Sequence, residues 1–509
     1  MEVRSGRILR SAALALLTCC VLACTTSAID KSDDSAPNFI VLIGDDMGVE
    51  TLAAYGVGAT PAVTPNLDRL AGRGVLFENF WAQPICSPTR ATLLTGRYGF
   101  RTNVLLPVLP REDLFPAVRP PVASNARKEL QYHPITGYLG TGTPQGGLPP
   151  WVKPGSPADG GLPAREVTLP AILKSLPANY ATAAVGKWHL ADSANGWLDH
   201  PNLSGFDYYS GVLLGEGDSY QRWLHVEDGE ASGESGYIDS RTVDDGIAWL
   251  QSREENGQPW LLWVGFVNPH VPIHLPPAEL LHSEQALALD ESGLTDDNVR
   301  PYVMAMIEAM DSLIGRLLDA VPPDEQDHTW IIFLGDNGTA RWAQPAPPFD
   351  DGRVKMTVYE GGLRTPLIVA GPRGLRNTRS DALINSTDIF NTVIELAAGS
   401  LSDSIADTRP IDGVSFVDVL QGGAGTRDWI FADTTWGGTY SHAIRDRHFK
   451  LVTGKGGEEL FDLVADPWET RNLLADELDD DAVAAYAKLE AILDDLLPAE
   501  PPEITRPFR

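Results

Sequence analysis

Five short apolar runs, each halted by a cluster of polar residues, constrain this chain more than any other feature of its sequence. Residues 38–43 (Asn-Phe-Ile-Val-Leu-Ile) stop at Gly44-Asp45-Asp46, 181–185 at Gly186-Lys187, and 260–267 at Asn268-Pro269-His270. The run 330–334 stops at Gly335-Asp336-Asn337, and 365–370 at Gly371-Pro372. Continuous rather than alternating apolar character predicts strands buried on both faces, as in a parallel sheet. Segments 64–73, 242–254, 301–320 and 388–397 carry helical patterns between the runs. This alternation predicts an α/β sandwich, with a large, mostly parallel central sheet flanked by helices. Ligands of such sheets gather beyond the carboxyl ends of the strands, where the polar clusters fall.

The rhythm breaks twice. Residues 102–165 are rich in Pro and Gly without sustained periodicity and read as an insertion over the functional edge. Beyond residue 425, stretches 442–452 and 458–463 predict short antiparallel strands, followed by a helix over 479–497. The expected organisation is therefore a leader at 1–24, a polar tether at 25–36, a large α/β domain at 37–425 and a small α+β subdomain at 426–509, with an antiparallel sheet.

The leader is basic at Arg4, Arg7 and Arg10 and apolar from Ser11 to Ala23, the pattern of an export signal. It ends Val21-Leu22-Ala23-Cys24, which resembles a bacterial lipoprotein cleavage site with Cys24 lipidated; cleavage after Ala28 is the alternative. Export to the periplasm, or to the outer membrane or cell surface as a lipoprotein, is the expectation. Of four cysteines, Cys19, Cys20 and Cys24 belong to this region, so Cys86 stands alone in the globular part and no disulfide can form there. A lone cysteine in an exported chain is either an inert buried thiol or a residue kept for its chemistry.

Formal charge is −30, from 39 Lys and Arg against 69 Asp and Glu. Such a surface field excludes general nucleic-acid binding. An anionic substrate would need cations concentrated locally.

Two strand ends supply hard oxygen donors, Asp45 and Asp46 at one and Asp336 and Asn337 at the other. Clustered carboxylates need a compensating cation or protonation. An all-oxygen set suits Ca2+ or Mg2+ better than zinc. Each pair taken alone could equally cap a helix or make a turn. In Cys86-Ser87-Pro88-Thr89-Arg90, Pro88 suits the first turn of a helix, placing Cys86 at its N-terminus. Free N–H groups there favour an anion, and Arg90 lies one turn on.

Cys86-Ser87-Pro88-Thr89-Arg90 resembles the C-x-P-x-R signature of the type I sulfatases, in the alkaline phosphatase-like superfamily. The resemblance extends through Gly44-Asp45-Asp46-Met47-Gly48, Thr64-Pro65-Asn66-Leu67-Asp68-Arg69-Leu70, Gly186-Lys187-Trp188-His189-Leu190, Asn268-Pro269-His270-Val271-Pro272 and Gly335-Asp336-Asn337-Gly338. It continues at Lys355, at Tyr359-Glu360-Gly361-Gly362-Leu363-Arg364-Thr365-Pro366, and in the tail from Glu459 to Thr470. Gly335, where the family often has serine, and Ala191, where glycine is common, are mild departures.

The resemblance implies an alkaline phosphatase-like fold and hydrolysis of sulfate esters. It implies that a separate maturation enzyme oxidises Cys86 to Cα-formylglycine, whose hydrate attacks sulfur and later expels sulfate as the aldehyde re-forms. It further implies that Asp45, Asp46, Asp336 and Asn337 bind Ca2+ together with residue 86. Arg90 would orient the diol, Lys187 and Lys355 would hold the sulfate oxygens, His270 would protonate the leaving alcohol and His189 would assist the diol. His274 is expected either to contact substrate or to pack. Trp436 and Tyr440, with the insertion, are candidate specificity elements for a sulfated sugar.

Three other readings stay open on sequence alone. A phosphonate or phosphodiester hydrolase shares the fold, a surface lipoprotein could bind sulfated glycans without catalysis, and a thiol hydrolase would use free Cys86.

Overall fold

A computed structural model of the protein describes residues 36–108, 161–192, 195–215, 219–253, 257–295, 297–343, 348–349, 352–399 and 409–498. The leader, Cys24 and most of the 102–165 insertion lie outside these residues. Ala36–Arg509 forms one compact unit, and among the described residues no helix is long and apolar enough to cross a membrane.

The five apolar runs form strands of one ten-stranded sheet. Its order is β10 (Thr378–Asn385), β2 (Val75–Trp81), β9 (Leu367–Ala370), β8 (Thr329–Gly335), β1 (Asn38–Gly44), β7 (Trp260–Gly265), β3 (Ala181–Lys187), β4 (Tyr208–Val212), β5 (Arg222–Glu227) and β6 (Glu230–Ser235). The central block from β8 to β4 is parallel throughout. Every residue of β1 and β8 is buried, which is why neither alternates in sequence. Helices Pro65–Arg73, Ile238–Ser252 and Arg300–Asp319 contribute to one apolar layer, while Cys86–Thr95 and Ser386–Ala398 contribute to the other.

Two departures from the sequence reading matter for the site. The run at 365–370 shortens to β9, which is antiparallel to both of its neighbours. Leu334 pairs with Leu367 and Gly335 N–H donates to Pro366 O (3.0 Å), so loop 336–366 leaves and re-enters the sheet at one edge. That return carries Lys355 to the edge where Asp336 stands. Strand β2, unanticipated because Glu78 and Asn79 interrupt its apolar character, runs in the direction of β8 and β1. Its carboxyl end therefore delivers Cys86 to the same edge.

A second, four-stranded antiparallel sheet follows the order β11 (Ile430–Thr434), β12 (Ser441–Arg445), β13 (Phe449–Gly454) and β14 (Gly457–Asp462). One of its faces packs on helix Asp480–Leu496 and the other on Trp81, Val358, Leu363 and Leu383.

Candidate active site

The carboxyl edge of the parallel block gathers the expected residues. Gly44 and Gly335 are in register, and Asp336 N–H donates to Gly44 O (3.0 Å). The chains after β1 and β8 thus leave the sheet side by side. Asp46 adopts a left-handed backbone (φ 60°), which turns its N–H onto Asp336 Oδ1 (3.2 Å). Asn337 Nδ2 donates to Asp46 Oδ1 (2.7 Å). Asp45, Asp336 and Asn337 are wholly buried, and Asp46 is nearly so.

Helix Cys86–Thr95 is buried along its whole length, with Gly96 closing it in the left-handed region. No side chain caps its N-terminus, and Cys86 sits at this positive end of the helix dipole. The Cys86 thiol donates to Asp45 Oδ1 (3.4 Å) and lies 3.5 Å from Lys355 Nζ. Burial, Asp336 and Asp45 push the thiol well above its ordinary range.

Arg90 reaches across the sheet edge. Its Nε and Nη2 donate to Asp336 Oδ2 (3.2 and 2.9 Å), and Nη1 donates to Lys187 O (2.7 Å). This path needs Gly265, where a Cβ would lie 2.3 Å from Lys187 O and 2.8 Å from Arg90 Nη1. Lys187 Nζ pairs with Asp45 Oδ2, and Lys355 Nζ with Asp46 Oδ1. Burial opposes ionisation of Asp45, but Lys187, His270, Arg90 and Lys355 together hold its carboxyl far below the usual range. Asp336 moves the other way, pushed up to about 6 by burial and by Asp45 against the pull of Arg90.

One donor atom each from Asp45, Asp46, Cys86 and His270 lies within 4.8 Å of the others. His270, which the sequence reading did not count as a ligand, is in this group, while Asp336 is turned toward Arg90. Asp46 Oδ2 and Asn337 Oδ1 are buried without a hydrogen-bond partner. Such oxygens are costly unless something compensates them, and a hard cation does so. The oxygen donors of this edge, Asp45, Asp46 and Asn337, suit a hard cation such as Ca2+, while Cys86 and His270 add softer atoms beside them.

The three histidines differ in their surroundings. His270 Nε2 stands 4.0 Å from Asp46 Oδ2. The His270 loop is held by Asp239, whose carboxylate accepts Val267 and Asn268 N–H (2.9 Å each), and by Tyr220, whose hydroxyl lies 2.8 Å from both Val267 O and His270 O. His189 Nε2 bonds Val108 O (3.0 Å), and its Nδ1 has no partner. Burial, then Lys187 and Arg90, keep His189 well below its usual range, hence neutral. His274 packs: its ring lies 4.0 Å from that of Tyr220, with Nδ1 on Pro272 O and Nε2 on the Tyr237 hydroxyl (3.0 Å each). Sequence reasoning passed over Asp239, Tyr220 and Tyr237, whose only signal was proximity to β7 through folding. Trp436 is partly buried at the turn after β11, and Tyr440 OH donates to Asp433 Oδ2 (3.2 Å).

The sulfatase family model matches residues 37–400. Human arylsulfatase G is 29% identical over 442 residues, covering 77% of this chain and 70% of its own. The canine N-acetylgalactosamine-6-sulfatase is 28% identical over 423 residues, covering 78% and 68%. A structure solved in complex with its substrate D-glucosamine-2-N,6-O-disulfate superposes with a TM-score of 0.66 at 20% identity, covering 92% of this chain and 100% of the other. The chain belongs to the sulfatase family of sulfuric ester hydrolases.

Proposed function

We propose that this enzyme hydrolyses sulfate monoesters, of sugars in preference to simple aryl alcohols, to the alcohol and inorganic sulfate, with Cys86 matured to Cα-formylglycine and one Ca2+ bound beside it. The observation that carries the proposal is the buried ring of charge around residue 86. Asp45, Asp46 and Asp336 face Arg90, Lys187 and Lys355, so the fully ionised side chains balance. A divalent cation in the same ring leaves it net positive, which suits a monoanionic sulfate ester inside a protein of charge −30.

The cation would be held by Asp45, Asp46, Asp336 and Asn337, and with the formylglycine hydrate it supplies an activated oxygen nucleophile. Arg90, anchored on Asp336 and Lys187 O, orients residue 86 and stabilises negative charge there. Lys187 and Lys355 bind the sulfate oxygens and offset charge that grows as the S–O bond breaks. His270 delivers a proton to the departing alcohol oxygen, and neutral His189, whose Nδ1 has no partner, assists the diol.

A sulfated carbohydrate is the preferred substrate class, since one relative is named for N-acetylgalactosamine 6-sulfate and one structural neighbour was solved with a sulfated glucosamine. The leader at 1–24 and Cys24 support an exported enzyme of the bacterial periplasm or surface, with a lipid anchor and a separate maturation enzyme as its partners.

The test pairs peptide mass spectrometry at residue 86, on protein from its native host, with rates on aryl sulfate and aryl phosphodiester. An aldehyde or its hydrate at position 86 and faster sulfate hydrolysis are expected. Full activity with an unmodified thiol overturns the mechanism, and faster phosphodiester cleavage assigns the site to the phosphodiesterase reading.

A further inference from the structure

The two oxygen-bearing loops are tied together a second time, behind the carboxylates, by groups the proposed chemistry does not use. Gly48, two residues beyond Asp46, donates its N–H to Thr339 Oγ1 (3.1 Å). Thr339 lies two residues beyond Asn337 and donates its own hydroxyl proton to Glu50 Oε1. Glu50 and Thr339 are each 1% exposed. With its single proton committed to Glu50, the hydroxyl can only present a lone pair to Gly48. Thr339 O also accepts Lys355 N–H (3.2 Å), so one residue joins the β1 loop, the β8 loop and the lysine segment. Gly48 fits the arrangement, because a Cβ there would lie 2.2 Å from Glu50 Oε2.

We propose that Thr339, with its hydroxyl aimed by Glu50, is a positioning residue that fixes the spacing of the Asp45-Asp46 and Asp336-Asn337 loops for cation binding. This rests on the reading of those four residues as cation ligands. A cation that needs several oxygens at defined distances is sensitive to how far apart their backbones are held, and partners of ligand groups typically change metal affinity by about 10- to 100-fold when removed.

The experiment is calorimetric titration of Ca2+ into EDTA-stripped, dialysed full-length protein, with thermal unfolding of the same samples without cation. Wild-type protein that takes up no Ca2+ would defeat the cation reading itself, and the inference with it. Given wild-type binding, Thr339→Val should weaken Ca2+ affinity at least tenfold, while Thr339→Ser, which keeps the hydroxyl, stays within about twofold. Thr339→Ala, which sets no methyl pair against the Gly48 N–H, should weaken binding as Thr339→Val does. Wild-type affinity in either hydroxyl-free variant overturns the proposal. Loss of folding in both variants also overturns it, since the tie would then serve stability rather than the site.

Discussion

Arg90 Nη2 donates to Asp336 Oδ2 at 2.9 Å, and neither side chain exposes any surface. The guanidinium spans this carboxylate and Lys187 O at once, linking the ends of β8 and β3 at the level of Cys86. Only a planar fork can do so; an ammonium on a flexible stem makes one contact at a time.

Arg90→Lys should therefore lower kcat by 100-fold or more while the protein still folds. Arg90→Ala should in addition destabilise it by about 3 kcal/mol or more, because the partner carboxylates lose a buried countercharge. Steady-state kinetics and urea unfolding of both variants check the two halves separately.

Cation removal should act on activity and on stability together. Chelation with EDTA is expected to abolish sulfate hydrolysis, and Ca2+ to restore it. A ligand that binds only the folded state stabilises it by about 2.7 kcal/mol at 100 times its Kd. Differential scanning fluorimetry against Ca2+ concentration should show Tm rising throughout, and a flat response would count against a bound cation.

How far the sequence disclosed all this depended on burial. Strands β1, β3, β7 and β8 are covered on both faces, so their composition is enough to reveal them and the polar residues that end them. Strand β2 was opaque because Glu78 and Asn79 are only half-buried. The β5–β6 hairpin was opaque because β6 is largely solvent-exposed and carries no apolar pattern. The charged and polar residues that gather around Cys86 were legible mostly as motifs, Asp45, Asp46, Lys187, Asp336 and Asn337 at or just beyond strand ends, Arg90 within the helix that Cys86 opens and Lys355 in the loop between β8 and β9. Their supports were not: Thr339, Tyr220 and Asp239 meet their partners only through folding, across sequence separations such as the 291 residues between Gly48 and Thr339.

His200 gives a pH prediction away from the Cys86 edge of the sheet. Its Nδ1 accepts Trp188 Nε1–H (2.9 Å) and its Nε2 bonds Leu162 O (2.9 Å), so the neutral ring satisfies both neighbours. Burial lowers its pKa to about 4 from 6.5. The unfolded chain therefore takes up the proton first as pH falls. The stabilisation is complete above 6.5 and fades between 6.5 and 4, a loss of about 3 kcal/mol from this ring. His200→Gln should be less stable at pH 7 and show a shallower decline over that window in urea unfolding.

Trp436 and Tyr440, four residues apart at the β11–β12 turn, should separate substrate contact from packing. Tyr440 OH donates to Asp433, a buried carboxyl that also accepts Phe100 N–H (3.0 Å) and that burial pushes up to about 7. Tyr440→Phe removes one of these donors, so a stability loss of about 1 kcal/mol is expected, with little change in KM. Trp436 retains exposed surface, and Gly437 and Gly438 beside it are exposed too. Trp436→Ala should raise KM for a sulfated oligosaccharide about fivefold, the equivalent of ~1 kcal/mol of lost stacking, and leave aryl sulfate kinetics unchanged. Equal effects on both substrates would place the ring in the scaffold, and no effect on either would remove this turn from the sugar-binding surface.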